Sequence, residues 1–262
     1  MIKWNYEELN NDVLMLLKTL KSQYLTSTLD EGNLCFNKPQ VFQKSDDLAK
    51  GQADPWDSNK FFTALDLHVA PVISDTPEGT KYGKPIYIGT NIPMREISGQ
   101  SKMTPVCCFR KVDESDFKEE NGVYLFRLDE VTVERIKDEF EHDSFLLVVN
   151  PRELINRILK QTFCFARSVH YGEIDEEYQK YLDAYVFNQA EMFQKREEYA
   201  WQKEFRIIIR ADNSSDLRKF VRVGSLQDIA IGGKIDQLKS GFLFADSEKV
   251  LNQYIEQKNR KE

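Results

Sequence analysis

The chain has 262 residues, with 36 basic and 43 acidic side chains and a formal charge of −7. That length supports a sizeable core without disulfide or metal staples, and 41% apolar with 30% charged residues is the balance of a globular chain, not a disordered one. The acidity argues against nucleic-acid binding driven by overall charge, leaving only a local basic patch for it, and no stretch reaches the roughly 18–20 apolar residues of a membrane span.

Glu7, Glu8 and Asp12 interrupt the apolar N-terminus, which lacks the layout of a secretory leader, so the expectation is a cytoplasmic protein. Asn5 followed by Glu8 reads as a capping box. Leu9, Val13, Leu16, Leu17 and Leu20 then fall on one helical face, which predicts a helix over 6–23. Gly32 breaks that pattern, and Asn33–Asn37 reads as a short strand stopped by Pro39. The polar stretch 40–60 predicts a loop or short helix long enough to line a site.

Phe61–Ile73 alternates as a strand does, with turns over 74–84 and an irregular stretch over 90–105. Val106–Val112 and Val123–Leu128 are predicted strands separated by a charged turn. Val133, Ile136 and Phe140 mark a helix, and Phe145–Val149 a buried strand. Asn150-Pro151-Arg152-Glu153 is a helix start with cap, proline and acidic residue in their preferred places.

Thr162–Tyr171 reads as another strand, and 175–199 as one long helix or two in sequence. Trp201–Arg210 and Lys219–Val223 are predicted strands of a hairpin. Leu226–Ile231 is a strand ended by Gly232-Gly233, and a last helix spans 247–258. The expectation is a single α+β domain over 1–262, with a mixed, mostly antiparallel sheet and flanking helices.

The four cysteines, Cys35, Cys107, Cys108 and Cys164, lack metal-ligand spacing to each other and to His68, His142 and His170, so they read as buried free thiols without a metal. Chemistry concentrates in Lys195–Arg210, KREEYAWQKEFRIIIR. On a strand, Gln202, Glu204 and Arg206 share one face at roughly 6.5–7 Å spacing, where they either converge on a ligand or form a solvated stripe. Elsewhere, Ser168 and His170 share a face opposite Arg167 and Tyr171, and Asp66 pairs with His68 on a third strand. Lys195 and Arg196 precede Tyr199 and Trp201 as a basic–aromatic group that reads as a base-stacking site or a solvated helix end.

A lysine, an aromatic and then acidic–aromatic–arginine resembles a family of bacterial and prophage proteins of uncharacterised activity. Gly32 to Phe42 resembles that family's opening and Val223 to Ile229 its closing strand-turn. The likeness covers three short segments and departs at Gln43-Lys44-Ser45-Asp46, where the family has Asn-Asp-Pro. The same segments bear a weaker resemblance to ADP-ribosyltransferases, with Gln202-Lys203-Glu204 as the late acidic motif and no Ser-Thr-Ser strand before it.

That resemblance implies Glu204 and Gln202 as catalytic residues, and Arg206, Arg167, Ser168, His170 and Lys195 as contacts to substrate. NAD is then a substrate and no resident cofactor is called for. The implied setting is a bacterial or phage conflict system. The alternative is a non-catalytic inhibitor that binds a protein of host defence, as a monomer or a homo-oligomer.

Overall fold

The computed structural model describes residues 13–43, 60–76, 79–96, 99–172, 190–211 and 213–259. The fold is mixed α+β with mostly antiparallel sheets. Its strands are β1 (Met15–Leu20), β2 (Asn33–Asn37), β3 (Lys60–Val69), β4 (Val72–Thr76), β5 (Gly79–Tyr82), β6 (Ile86–Glu96), β7 (Val106–Val112), β8 (Phe117–Glu120), β9 (Val123–Phe126), β10 (Ser144–Val148), β11 (Cys164–Ser168), β12 (His170–Tyr171), β13 (Gln194–Lys195), β14 (Glu204–Ile209), β15 (Arg218–Arg222), β16 (Ala230–Lys234) and β17 (Phe242–Ala245). The helices are α1 (Leu25–Glu31), α2 (Pro39–Gln43), α3 (Gly99–Lys102), α4 (Glu130–Phe140), α5 (Pro151–Gln161), α6 (Gln237–Ser240) and α7 (Glu248–Asn259).

The main sheet runs β11-β14-β7-β1-β10-β16, every pair antiparallel. Alternation along its strands feeds two cores. Leu16, Phe109, Leu146, Phe205 and Ile207 pack with Leu154, Ile155 and Ile158 of α5 on one face. Leu17, Phe145 and Leu147 pack with Val133 and Ile136 of α4 on the other. Helix α5 starts where its sequence says. The Asn150 side chain accepts from the Glu153 N–H at 3.1 Å, and Pro151 sits where no N–H is needed. Asn150→Ala should therefore cost about 1 kcal/mol in urea denaturation, the usual worth of such a cap.

The sheet is forked. Strand β14 follows one edge of β7 from Val106 to Arg110. On the other edge β1 pairs only with residues 110–112, and β2 only at Val106. Cys107, Cys108 and Phe109 thus have no strand partner on that side among the described residues. Lys18 of β1 reaches across the gap and donates from Nζ to the Cys108 carbonyl at 3.1 Å. The second prong is completed by β15, which pairs with β2 from Asn33 to Asn37.

Several sequence expectations are overturned. Residues 15–20 form a strand, not part of a helix. Leu16, Leu17 and Leu20 are buried on both faces, and a doubly buried strand carries consecutive apolar residues that also fit a helical stripe. The Asn5–Glu8 capping box lies outside the described residues. Strand β15 makes no hairpin with β14; it pairs with β2, across most of the chain. Residues 190–202 form two 3-10 turns and β13 rather than a helix, while 173–189 lie outside the described residues.

Gly232 and Gly233 lie inside β16, where Leu25 and Leu29 of α1 pack over Gly232 and leave little room for a side chain. The stretch 90–96 belongs to β6, which pairs with β3 and tolerates Pro93 because it is an edge of a two-stranded pair. Helix α7 matches its prediction, but Val250, Leu251 and Tyr254 are only half-buried and Ile255 is exposed.

Candidate functional site

The stretch that drew attention in the sequence folds as a turn and then a strand. Residues Glu197–Gln202 form a 3-10 helix, and Lys203 turns the chain with φ 44°, a conformation rare for a residue with a side chain. Its Nζ is anchored to Asp113 at 3.3 Å, Ser115 at 3.0 Å and Asp116 at 3.1 Å, and its carbonyl accepts the Lys111 N–H at 2.7 Å. These contacts hold the strained turn in place. Strand alternation therefore begins only at Glu204, and Gln202 meets its neighbours by the turn rather than by the pleat.

What results is a buried ionic cluster. Arg206 is fully buried and donates from Nε to Oε1 of Glu204 and from Nη2 to Oε2, each at 3.2 Å. Its Nη1 donates to the Met192 carbonyl at 2.7 Å. Lys195, also buried, donates to Gln202 Oε1 at 2.8 Å and Glu204 Oε2 at 3.2 Å, with Nζ 4.7 Å from the centre of the Tyr199 ring. Neither a solvated helix end nor a base-stacking site describes Lys195, because its ammonium is spent inside this network. Burial alone would raise the Glu204 pKa. The Arg206 and Lys195 charges overcome it and hold the carboxyl at about 2, so Glu204 is ionised throughout the neutral range.

Tyr171 is a site residue that sequence reasoning placed only as a strand neighbour of Arg167. The backbone N–H of Glu204 donates to its hydroxyl oxygen at 2.6 Å, and burial pushes its phenol well above the ordinary range. Arg167 sits directly opposite Arg206, and Ser168 opposite Phe205. His170 pairs with Gln194 in the short parallel ladder of β12 and β13. The register of β3 against β6 shifts between Leu67 and His68, and His68 packs against Tyr87.

The cluster opens onto a cavity of about 510 Å³ that occupies the fork of the sheet. Lys195, Gln202 and Glu204 line it; Arg206, Arg167, Ser168 and His170 do not. The other wall comes from β1, α1, β2 and the end of α4, residues that the sequence offered no reason to join. There the Thr19 hydroxyl and His142 Nδ1 are 2.8 Å apart. Burial, with the nearby Lys18 and Lys21 charges, holds the imidazole at about 4, so it is neutral at pH 7.

Cys35, Cys107 and Cys108 also line the cavity, and burial raises the thiols of Cys35 and Cys107, which makes neither a ready nucleophile. Cys107 lies in one core and Cys108 packs on the other face, as neighbours on a strand must. Among the described residues no group of acidic, histidine and cysteine side chains could hold a metal ion, and no helix is long and apolar enough to cross a membrane. Searches of family models, curated proteins and solved structures find no match to this chain.

Proposed function

We propose that the chain is an ADP-ribosyltransferase-like protein of bacterial or phage conflict systems that takes NAD into the forked cleft. The observation that carries this reading is an ionised carboxylate, Glu204, on the wall of a cavity of small-molecule size. In ADP-ribosyl transfer the bond from the ribose C1′ to nicotinamide breaks and its electron pair leaves with nicotinamide. Positive charge develops on the ribosyl carbon before a target nucleophile adds there and loses its proton.

A fixed negative charge beside that carbon stabilises the transition state, provided it stays ionised in a poorly solvated place. Arg206 and Lys195 secure the ionisation, and Gln202 positions Lys195. Glu204→Gln should lower NAD consumption about 10²–10³-fold, the usual effect of removing one such electrostatic group. Labelled NAD supplied to the purified protein with cell extract measures this. Full turnover in a folded Glu204→Gln variant, or none in the wild type, would sink the reading.

A second reading has its own support. Both Glu204 oxygens are already engaged by Lys195 and Arg206, as in a purely structural cluster. The β3–β6 and β4–β5 pairs, which lie outside the main sheet, carry exposed Ile73, Tyr82, Ile86, Tyr87 and Ile88. Apolar exposure of this kind suits a protein partner. A stoichiometric partner lost on Ile86→Lys and Ile88→Lys, yet retained in Glu204→Gln, would favour that reading.

A further inference from the structure

The cations facing the fork are not equivalent. Lys21 is paired with Glu141 at 3.6 Å, Arg110 lies 3.8 Å from Asp116, and Lys195 is held by Glu204. Lys18 and Arg218 line the same cavity but have no carboxylate partner among the described residues. They come from opposite prongs. Lys18 is on β1, and Arg218 is on β15, directly opposite Asn37 of β2.

Cys35 of β2, two residues from Asn37, lies within range of both charges: each pulls its thiol pKa down against burial. Both cations therefore act on the same thiol and line the same cavity. Lys18 donates to the Cys108 carbonyl and hydrogen-bonds the Cys107 side chain, with Nζ 5.2 Å from the centre of the Phe109 ring, which leaves one of its three ammonium hydrogens to offer. Lys18 is partly desolvated, whereas Arg218 is exposed. An anion between them offsets the desolvation of Lys18 and gains charge-assisted hydrogen bonds.

We propose that Lys18 and Arg218 form a phosphate subsite at the fork of the sheet, which takes the pyrophosphate of a dinucleotide whose ribosyl end lies at Glu204. The identity of the ligand rests on the function proposed above; the phosphate chemistry of the subsite does not. Arg218 supplies a planar fork suited to two phosphate oxygens, and Lys18 a point charge from the other side. Asn37, on the same cavity wall, adds a neutral hydrogen-bonding group.

The test is calorimetric binding of inorganic pyrophosphate and of ADP-ribose to the full chain. Lys18→Gln keeps a donor for the Cys108 carbonyl while deleting the charge, so it separates a plug in the fork from an anion contact. Lys18→Gln and Arg218→Gln should each weaken both ligands at least tenfold, with a shallower dependence on salt. Lys234→Gln, which removes an exposed charge from β16, should leave them unchanged. Equal affinity across all four proteins, or no pyrophosphate binding to the wild type, overturns the subsite.

The two proposals fail separately. Pyrophosphate binding that depends on Lys18 and Arg218, in a protein that never consumes NAD, would keep the subsite and discard the transferase. NAD turnover unaltered in both variants would do the reverse.

Discussion

Glu204→Ala is expected to destabilise the protein by about 3–5 kcal/mol in chemical denaturation, the range for removing one partner of a buried ion pair. The side chain is only 8% exposed, so water screens little of the loss. The variant leaves Lys195 and the fully buried Arg206 without their shared counter-ion. Glu204→Gln keeps an acceptor for both and should cost less, and Arg206→Met with Glu204→Leu together should cost less than either single change implies. A cost below about 1 kcal/mol for Glu204→Ala would mean that the cluster is solvated.

The same ion cluster sets the acid stability. The carboxyl of Glu204 moves from an ordinary 4.5 to about 2 on folding. A depressed carboxylate contributes stability that is present above its unfolded value and lost as pH falls through its folded one. The loss falls between about pH 4.5 and pH 2. His142 acts in an earlier window. Burial, Lys18 and Lys21 lower its pKa from 6.5 to about 4 against the opposing charge of Asp143, so the unfolded chain binds the extra proton there. Stability should fall as pH drops from 6.5 to 4, and His142→Gln should flatten that first decline while leaving the second. Denaturation midpoints measured from pH 7 to pH 2 in the wild type and in His142→Gln check the assignment.

Gly32→Ala is the second large effect expected, about 3 kcal/mol or more. Gly32 caps α1 in the left-handed region at φ 63°, ψ 35°, with its N–H on the Ser27 carbonyl. Its own carbonyl accepts the Val223 N–H at 3.0 Å, which ties the end of α1 to the strand β15 that builds the outer prong of the fork. A Cβ at this position would overlap the Gly224 carbonyl oxygen and lie 2.9 Å from Val223 Cγ2. Backbone cannot yield as a side-chain tip can, so the β2–β15 pair must shift. Gly224 is the control: it is also left-handed at φ 78°, but an added Cβ there meets nothing within 4 Å. Gly224→Ala should cost only the conformational term of about 1–2 kcal/mol. Urea midpoints of the two variants that coincide would contradict the clash.

Much of the secondary structure could be read locally. Helix α5 carries its own start signal in Asn150 and Pro151, and α4 and β7 follow their periodicity. Strand β1 could not be read that way, because Met15-Leu16-Leu17 satisfies both a helical stripe and a strand buried on two faces, and only its neighbours β7 and β10 decide. The candidate site divides likewise. Lys195, Gln202, Glu204 and Arg206 lie within twelve residues, so their meeting was legible from chain proximity, although the turn at Lys203 rather than strand alternation brings Gln202 in. Arg167, Ser168 and His170 were grouped with them by sequence and do not line the cavity.

The sequence alone determined which short segments could be helix or strand and which polar residues were near enough to share a cluster, since both depend on a few consecutive side chains. Tertiary structure decided the rest: that β15 pairs with β2 and not with β14, that β1 and β2 part along one edge of β7, and that Lys18, His142 and Arg218 face Glu204's cavity. The paired residues of these strands lie from 69 positions apart (Asn37 with Val106) to 189 (Asn33 with Arg222). Nothing local specifies which distant edge a strand will find; that choice falls to the burial of both sheet faces at once.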